Sequence, residues 1–77
     1  MENRMIDPAV IGMRLRILRG IRTRAQVEKE TGMSQGRLGN YEHGYRIPTD
    51  DAKVLLANYY GVTVQELFFT DNNNETS

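Results

Sequence analysis

Glycines at positions 20, 32, 44 and 61 cut this chain into short stretches, and each follows a run of apolar residues spaced three or four apart. Glycine enters the left-handed conformation that ends a helix without a Cβ penalty, so the spacing points to a succession of short helices. The starts match the stops. Asp7-Pro8 is a side-chain cap followed by proline at the first helical position, and Thr23-x-x-Gln26 and Thr63-x-x-Glu66 have the capping-box form. Ser34 and Thr49 are further cap candidates. The punctuation predicts five helices, over residues 8–19, 24–31, 35–42, 50–60 and 64–69, and no stretch alternates as a strand would. Residues 1–7 precede them as an arm. Residues 70–77, with no apolar side chain, are expected to form a disordered polar tail.

The apolar positions then choose faces. Ala52, Leu55, Leu56, Tyr59 and Tyr60 form an inward stripe on the fourth helix, and Ile11, Leu15 and Leu18 do so on the first. Val27, Met33, Leu38 and Tyr41 face inward from the middle pair, and Val62, Val64, Leu67 and Phe68 close the bottom. The expected fold is all-α, a compact five-helix bundle around one small core. At 77 residues the chain makes one domain and buries only roughly 60% of its unfolded surface. It has no cysteine, so neither a disulfide nor a cysteine-based zinc site reinforces it. No apolar run reaches a membrane span, and Met1-Glu2-Asn3-Arg4 lacks the apolar stretch of a secretory signal. A soluble, cytoplasmic protein is expected.

Enzyme chemistry is poorly supplied. His43 is the sole histidine, and no nucleophile elbow, phosphate loop or zinc-protease motif occurs. Asp50-Asp51 reads as the negative start of a helix rather than a catalytic dyad. Catalytic residues, metal ligands and cofactors are therefore expected to be absent, and no appended sensor segment calls for a small-molecule ligand.

Charge is divided unevenly. Residues 1–46 carry nine arginines and lysines against five acids, a balance of +4, and the remainder carries one against five, −4. Eight of the ten cations are arginines, the type suited to phosphate and guanine. The third helix, Gln35-Gly36-Arg37-Leu38-Gly39-Asn40-Tyr41-Glu42, places Leu38 and Tyr41 on one side and Gly36, Gly39 and Asn40 on the other, with Gln35 and Arg37 flanking. Glycine costs about 1 kcal/mol against alanine inside a helix. Two in one short helix fit either close approach of its backbone to a large ligand or a frayed helix held by its neighbours. Gln, Arg and Asn pair bidentately with base edges, so this outer face suits duplex DNA.

The stretch Thr23-Arg24-Ala25-Gln26-Val27-x-x-x-x-Gly32-Met33-Ser34-x-x-x-Leu38-x-x-Tyr41-Glu42-x-Gly44-x-x-x-Pro48 resembles the Cro and phage-repressor helix-turn-helix, the XRE family. With Ile11 to Arg19 upstream and Leu55 to Leu67 downstream, the resemblance covers about residues 8–69. It implies a lambda-repressor-like DNA-binding domain whose third helix enters the major groove. Gln35, Arg37 and Asn40 would read bases, while Gly36 sits where relatives place a reading side chain and would instead bring backbone close. Arg24, Ser34, Gly36, Tyr45, Arg46 and the His43 main-chain N–H would hold the DNA backbone. Glu42 would pair with Arg19 of the first helix. Three positions depart from the family pattern: Arg24 replaces a glutamine, Glu28 replaces an alanine, and the link Gly20-Ile21-Arg22 is short.

The implied activity is sequence-specific binding of double-stranded DNA by a transcriptional regulator. The reading is a repressor of phage or mobile-element type, acting as a homodimer on a pseudo-palindromic operator. A restriction-system controller, an antitoxin-type autoregulator and a protein-interaction module without DNA binding are the alternatives. Leu67, Phe68 and Phe69 are consecutive, and one helix face cannot bury all three, so the dimer is expected there.

Overall fold

The computed structural model describes residues 7–68, which form five helices: α1 (Pro8–Arg19), α2 (Arg24–Thr31), α3 (Gln35–Glu42), α4 (Asp50–Tyr60) and α5 (Val64–Phe68). Most of the arm, Phe69 and the tail lie outside the described residues. Each start is capped as the sequence indicates. Asp7 accepts from the Ala9 N–H at 2.9 Å, Thr23 from Gln26 at 3.0 Å, Ser34 from Arg37 at 3.1 Å and Thr49 from Ala52 at 3.3 Å. At α5 the capping box is reciprocal. Thr63 Oγ1 accepts from the Glu66 N–H and Glu66 Oε1 from the Thr63 N–H, both at 2.9 Å. At α2 the box is only half made, because the Gln26 amide turns along the helix to Glu30. All four punctuating glycines have φ between +60° and +84°.

The core is built from Ile11 and Leu15 of α1, Val27 of α2, Met33 in the turn, Leu38 and Tyr41 of α3, Ala52, Leu56 and Ala57 of α4, and Leu67 and Phe68 of α5. Two expectations need correction. Leu55 is 36% exposed rather than buried, and Ala57 is buried instead. At about 100° per residue the inward arc of α4 runs from Ala52 through Leu56 to Ala57, leaving Leu55 about 60° outside it. Leu67 and Phe68, expected to meet a second copy, are both enclosed within this chain. Helix α5 lies between α4 and α1, so two of its faces are covered at once. Phe69, the third member of that cluster, falls outside the described residues.

Helix α1 meets α3 with their backbones in near contact. A Cβ on Gly12 would stand 2.3 Å from the Glu42 carbonyl oxygen and 2.8 Å from that of Tyr41. No side chain fits there, so glycine sets how deeply α3 seats on α1. Gly36, by contrast, has open space where its Cβ would be.

These two glycines should respond oppositely to the same substitution. Gly12→Ala is expected to destabilise the fold by about 1–3 kcal/mol through backbone displacement. Gly36→Ala should stabilise it by up to about 1 kcal/mol through helix propensity. Urea denaturation of both variants measures this, and a neutral Gly12→Ala would contradict the crossing geometry.

Candidate functional site

Helices α2 and α3 are joined by a turn that the sequence over-determines. Gly32 takes φ +84°, Thr31 Oγ1 donates to the Val27 carbonyl at 2.7 Å and accepts from the Met33 N–H at 3.1 Å, and Met33 inserts into the core. An eight-residue helix is marginal alone. Here α3 is fixed on its inner side by buried Leu38, Tyr41 and Glu42.

Its outer side is open at Gly36 and covered at Gly39, which is buried beneath Arg24. Beyond the open space at Gly36, a Cβ at Gly39 would meet only the Arg24 guanidinium, at 3.9 Å. Neither glycine is demanded by packing. The polar side chains around this strip are held to different degrees. Gln35 donates to Glu28 at 3.1 Å, which settles where the unusual Glu28 carboxylate goes: outward, to Gln35 rather than Arg37. Arg37 is folded along its own helix, with Nε donating to the Tyr41 hydroxyl at 3.0 Å and Nη2 to Thr49 Oγ1 at 3.2 Å. The Asn40 carbonyl accepts from the Tyr45 N–H at 2.9 Å and the Arg46 N–H at 3.3 Å, curling the following loop back toward α3. Tyr45, 75% exposed, stacks on the His43 ring. Arg46 is exposed beside it.

The His43 main-chain N–H does not serve as expected. It donates to the Gly39 carbonyl at 2.9 Å, completing the last turn of α3, and the ring Nδ1 lies 2.8 Å from the same oxygen.

Glu42 organises the site from beneath. Its side chain has 0% exposure, and Arg19 grips it bidentately, Nε to Oε2 at 2.8 Å and Nη2 to Oε1 at 3.0 Å. The sequence reading did not foresee a second cation. Arg24 donates from Nε to Glu42 Oε1 at 3.0 Å, with Nη2 at 2.9 Å from the same oxygen. Arg24 therefore ties the start of α2 to the end of α3, and only its Nη1 edge is turned to the outer face at Gly39. The one signal for this was the departure from the family's glutamine at that position. Arg19 also donates Nη1 to the Arg22 carbonyl at 2.8 Å, bracing the short α1–α2 link. The Glu42 hydrogen bonds, outweighing partial burial, hold the Arg19 guanidinium charged, above its ordinary pKa.

Other arginines are likewise engaged in the fold. Arg14 donates to the Glu66 carbonyl at 3.2 Å. Arg22 lies over the rings of Tyr59 and Tyr60, and the Tyr59 hydroxyl donates to the Glu30 carboxylate. The Tyr60 hydroxyl is buried without a partner among the described residues, and burial, assisted by the nearby Glu42 charge, pushes its pKa up to about 12. Among the described residues no cluster of three or more acidic or histidine side chains could hold a metal, and no helix is long and apolar enough to cross a membrane.

The helix-turn-helix family model HTH_3 matches residues 13–67. Two solved structures are similar. The BldD DNA-binding domain of S. venezulae is 32% identical, with TM-score 0.70 over 80% of this chain and 96% of that one. A crystal structure of the DNA-binding domain of BldD is 33% identical, with TM-score 0.69 over 80% of this chain and 93% of that one. No curated protein gives a significant match.

Two measurements probe the buried network. Glu42→Ala and Arg19→Ala should each cost roughly 3–5 kcal/mol, the first because it deprives two arginines of their shared acid, the second because the enclosed carboxylate loses its bond to Oε2 and keeps only Arg24. Arg24→Ala, at a side chain 31% exposed, should cost less, about 1.5–3 kcal/mol. Double-mutant cycles should find both arginines coupled to Glu42, and additive effects would remove Arg24 from the network. The second measurement is alkaline unfolding. Because the folded Tyr60 pKa lies above the unfolded value of about 10, stability should be full below that pH and decline as pH rises toward about 12. Tyr60→Phe should flatten this decline without loss of stability at neutral pH, since the hydroxyl has no partner to lose.

Proposed function

This chain belongs to the helix-turn-helix family of DNA-binding transcription regulators, and on that premise we propose that it is a sequence-specific repressor that binds a pseudo-palindromic operator as a homodimer. The observation that carries the specificity is the outer face of α3. Gly36 is demanded by no neighbour, yet it costs about 1 kcal/mol of helix propensity. A large surface approaching the backbone closely gives it a purpose. The major groove is such a surface, wide enough for a helix.

In this reading Gln35, Arg37 and Asn40 contact base edges, and Gly36 lets the α3 backbone sit deep in the groove. Gln35 and Arg37 exchange exposed bonds, to the Glu28 carboxylate and to Thr49, for bases, and each is a charge-assisted bond that solvent already competes for. Ser34, Tyr45 and Arg46 contact the phosphates on either side, and Arg24 adds its Nη1 edge. The His43 amide is left out, since it is spent within α3. A single small domain makes few contacts, so useful affinity calls for two copies on half-sites about 34–36 Å apart. Occlusion of a promoter is the simplest outcome for such a protein.

The expected mutational pattern separates reading from holding. Asn40→Ala should lose about 1–3 kcal/mol on the preferred operator, selected from a random duplex pool, and almost nothing on random DNA. Arg46→Ala should weaken both equally and reduce the log–log salt slope by about 0.9. Equal losses on both DNAs for Asn40→Ala would turn the specificity assignment down. No measurable binding to any duplex at low salt would leave a protein-interaction module as the reading.

A further inference from the structure

The Tyr41 ring belongs to the core, 3% exposed, yet its hydroxyl meets an exposed side chain one turn earlier on α3. Arg37 Nε donates to it at 3.0 Å, and the guanidinium carbon lies 5.8 Å from the centre of the Tyr41 ring. A rigid, enclosed residue thus grips a mobile one at the root of its charged group. The other bond, from Arg37 Nη2 to Thr49 Oγ1 at 3.2 Å, is exposed. Thr49 Oγ1 already accepts from the Ala52 N–H as the cap of α4, so this acceptor is shared. Arg37 Nη1 makes no hydrogen bond among the described residues. The two bonds therefore differ in strength, and they lie on one edge of the guanidinium.

We propose that Tyr41 is a positioning residue whose hydroxyl makes Arg37 a reader of guanine. The inference rests on the reading above that Arg37 contacts a base, and it names the base and what selects it. A guanidinium offers paired N–H donors side-on, from Nε and Nη2, and end-on, from Nη1 and Nη2. Tyr41 holds Nε, so the side-on pair is closed to a ligand. Giving up the exposed Thr49 bond releases Nη2 and leaves the end-on pair open. In the major groove guanine presents two acceptors, N7 and O6, whereas adenine presents one acceptor and one donor. Two parallel donors in a fixed orientation match the first edge and clash with the amino group of the second. An arginine with a free stem would swing to the nearest phosphate. Restraint at Nε removes much of that swing before DNA arrives, so less freedom is lost when the base is bound.

Competition binding of the full chain tests the assignment, using a duplex selected from a random pool with each base pair varied in turn. Wild type should prefer G·C at one pair by about 10-fold or more. Tyr41→Phe keeps the ring and removes only the hydroxyl, and circular dichroism melts establish that it is folded. It should lose about 10-fold of discrimination at that pair alone, with an unchanged salt slope because no charge is removed. Arg37→Lys, which keeps the charge and loses the fork, should lose the same preference, and the double variant should lose no more than either. Nitrogen-15 NMR of wild type supplies a second readout that needs no variant to fold. The Arg37 Nε resonance should keep its position when the duplex binds, while the Nη resonances move. A guanine preference that survives in Tyr41→Phe but not in Arg37→Lys, or an Nε resonance that shifts on binding, would overturn the positioning role and leave Arg37 a base reader. A preference untouched by Arg37→Lys, or losses spread equally over all duplexes, would overturn the base reading as well.

Discussion

A carboxylate taken out of water without a partner would cost several kcal/mol, and Glu42 is enclosed completely. Its position is made possible by Gly12, which lets the end of α3 press onto α1 with backbone against helix face. It is made tolerable by Arg19 from α1 and Arg24 from α2, whose guanidinium groups satisfy both carboxylate oxygens. One side chain thereby joins three helices. The apolar core alone is thin in a domain of this size, and hydrophobic contacts fix distance better than orientation. Directional bonds to Glu42 supply the orientation, which a helix that presents particular atoms to a ligand needs most.

The same network explains how α3 can carry two glycines. A helix of this composition would be frayed if left to its own propensity. Leu38 and Tyr41 anchor its inner side, Ser34 caps its start, and the Glu42 clamp together with the Asn40 carbonyl fixes its end. Local instability is thus offset by tertiary contacts at both termini, leaving the middle of the outer face free to be flat. Flatness has a functional cost as well as a benefit. Under the proposed function no side chain at Gly36 reads a base, so discrimination is assigned to fewer residues and close approach of backbone to compensation.

Much of this was legible in the sequence because short-range chemistry leaves local marks. Asp7, Thr23, Ser34, Thr49 and Thr63 each announce a helix start, and Gly20, Gly32, Gly44 and Gly61 each require the positive φ that their positions imply. What was not legible depends on which elements meet in space. Leu55 and Ala57 differ in burial because of how α4 is rotated against its neighbours, which periodicity leaves uncertain by a residue. The fate of Leu67 and Phe68 depends on α5 having neighbours on two sides. Gly12 looks like any helical glycine until α3 is seen against it. Arg24 is one more cation in a basic half until Glu42 is found within 3.0 Å of it. The second clamp therefore emerges only in three dimensions.

The basic half of the chain is consequently less free than its charge of +4 implies. Arg19 and much of Arg24 are committed to Glu42, Arg14 to a carbonyl at α5, and Arg22 to the rings of Tyr59 and Tyr60. A committed arginine still contributes to the long-range field that draws a polyanion in, because Coulomb attraction does not require a vacant hydrogen bond. It contributes little to the contact itself. In the proposed reading the protein separates two uses of positive charge: buried and braced arginines set the fold and the field, while Arg46 and the exchangeable edge of Arg37 are the ones assigned to close contact. Few contacts per copy means modest affinity per copy. That limit, set by how many arginines the fold consumes, is the physical basis of the proposal that two copies act together on one operator.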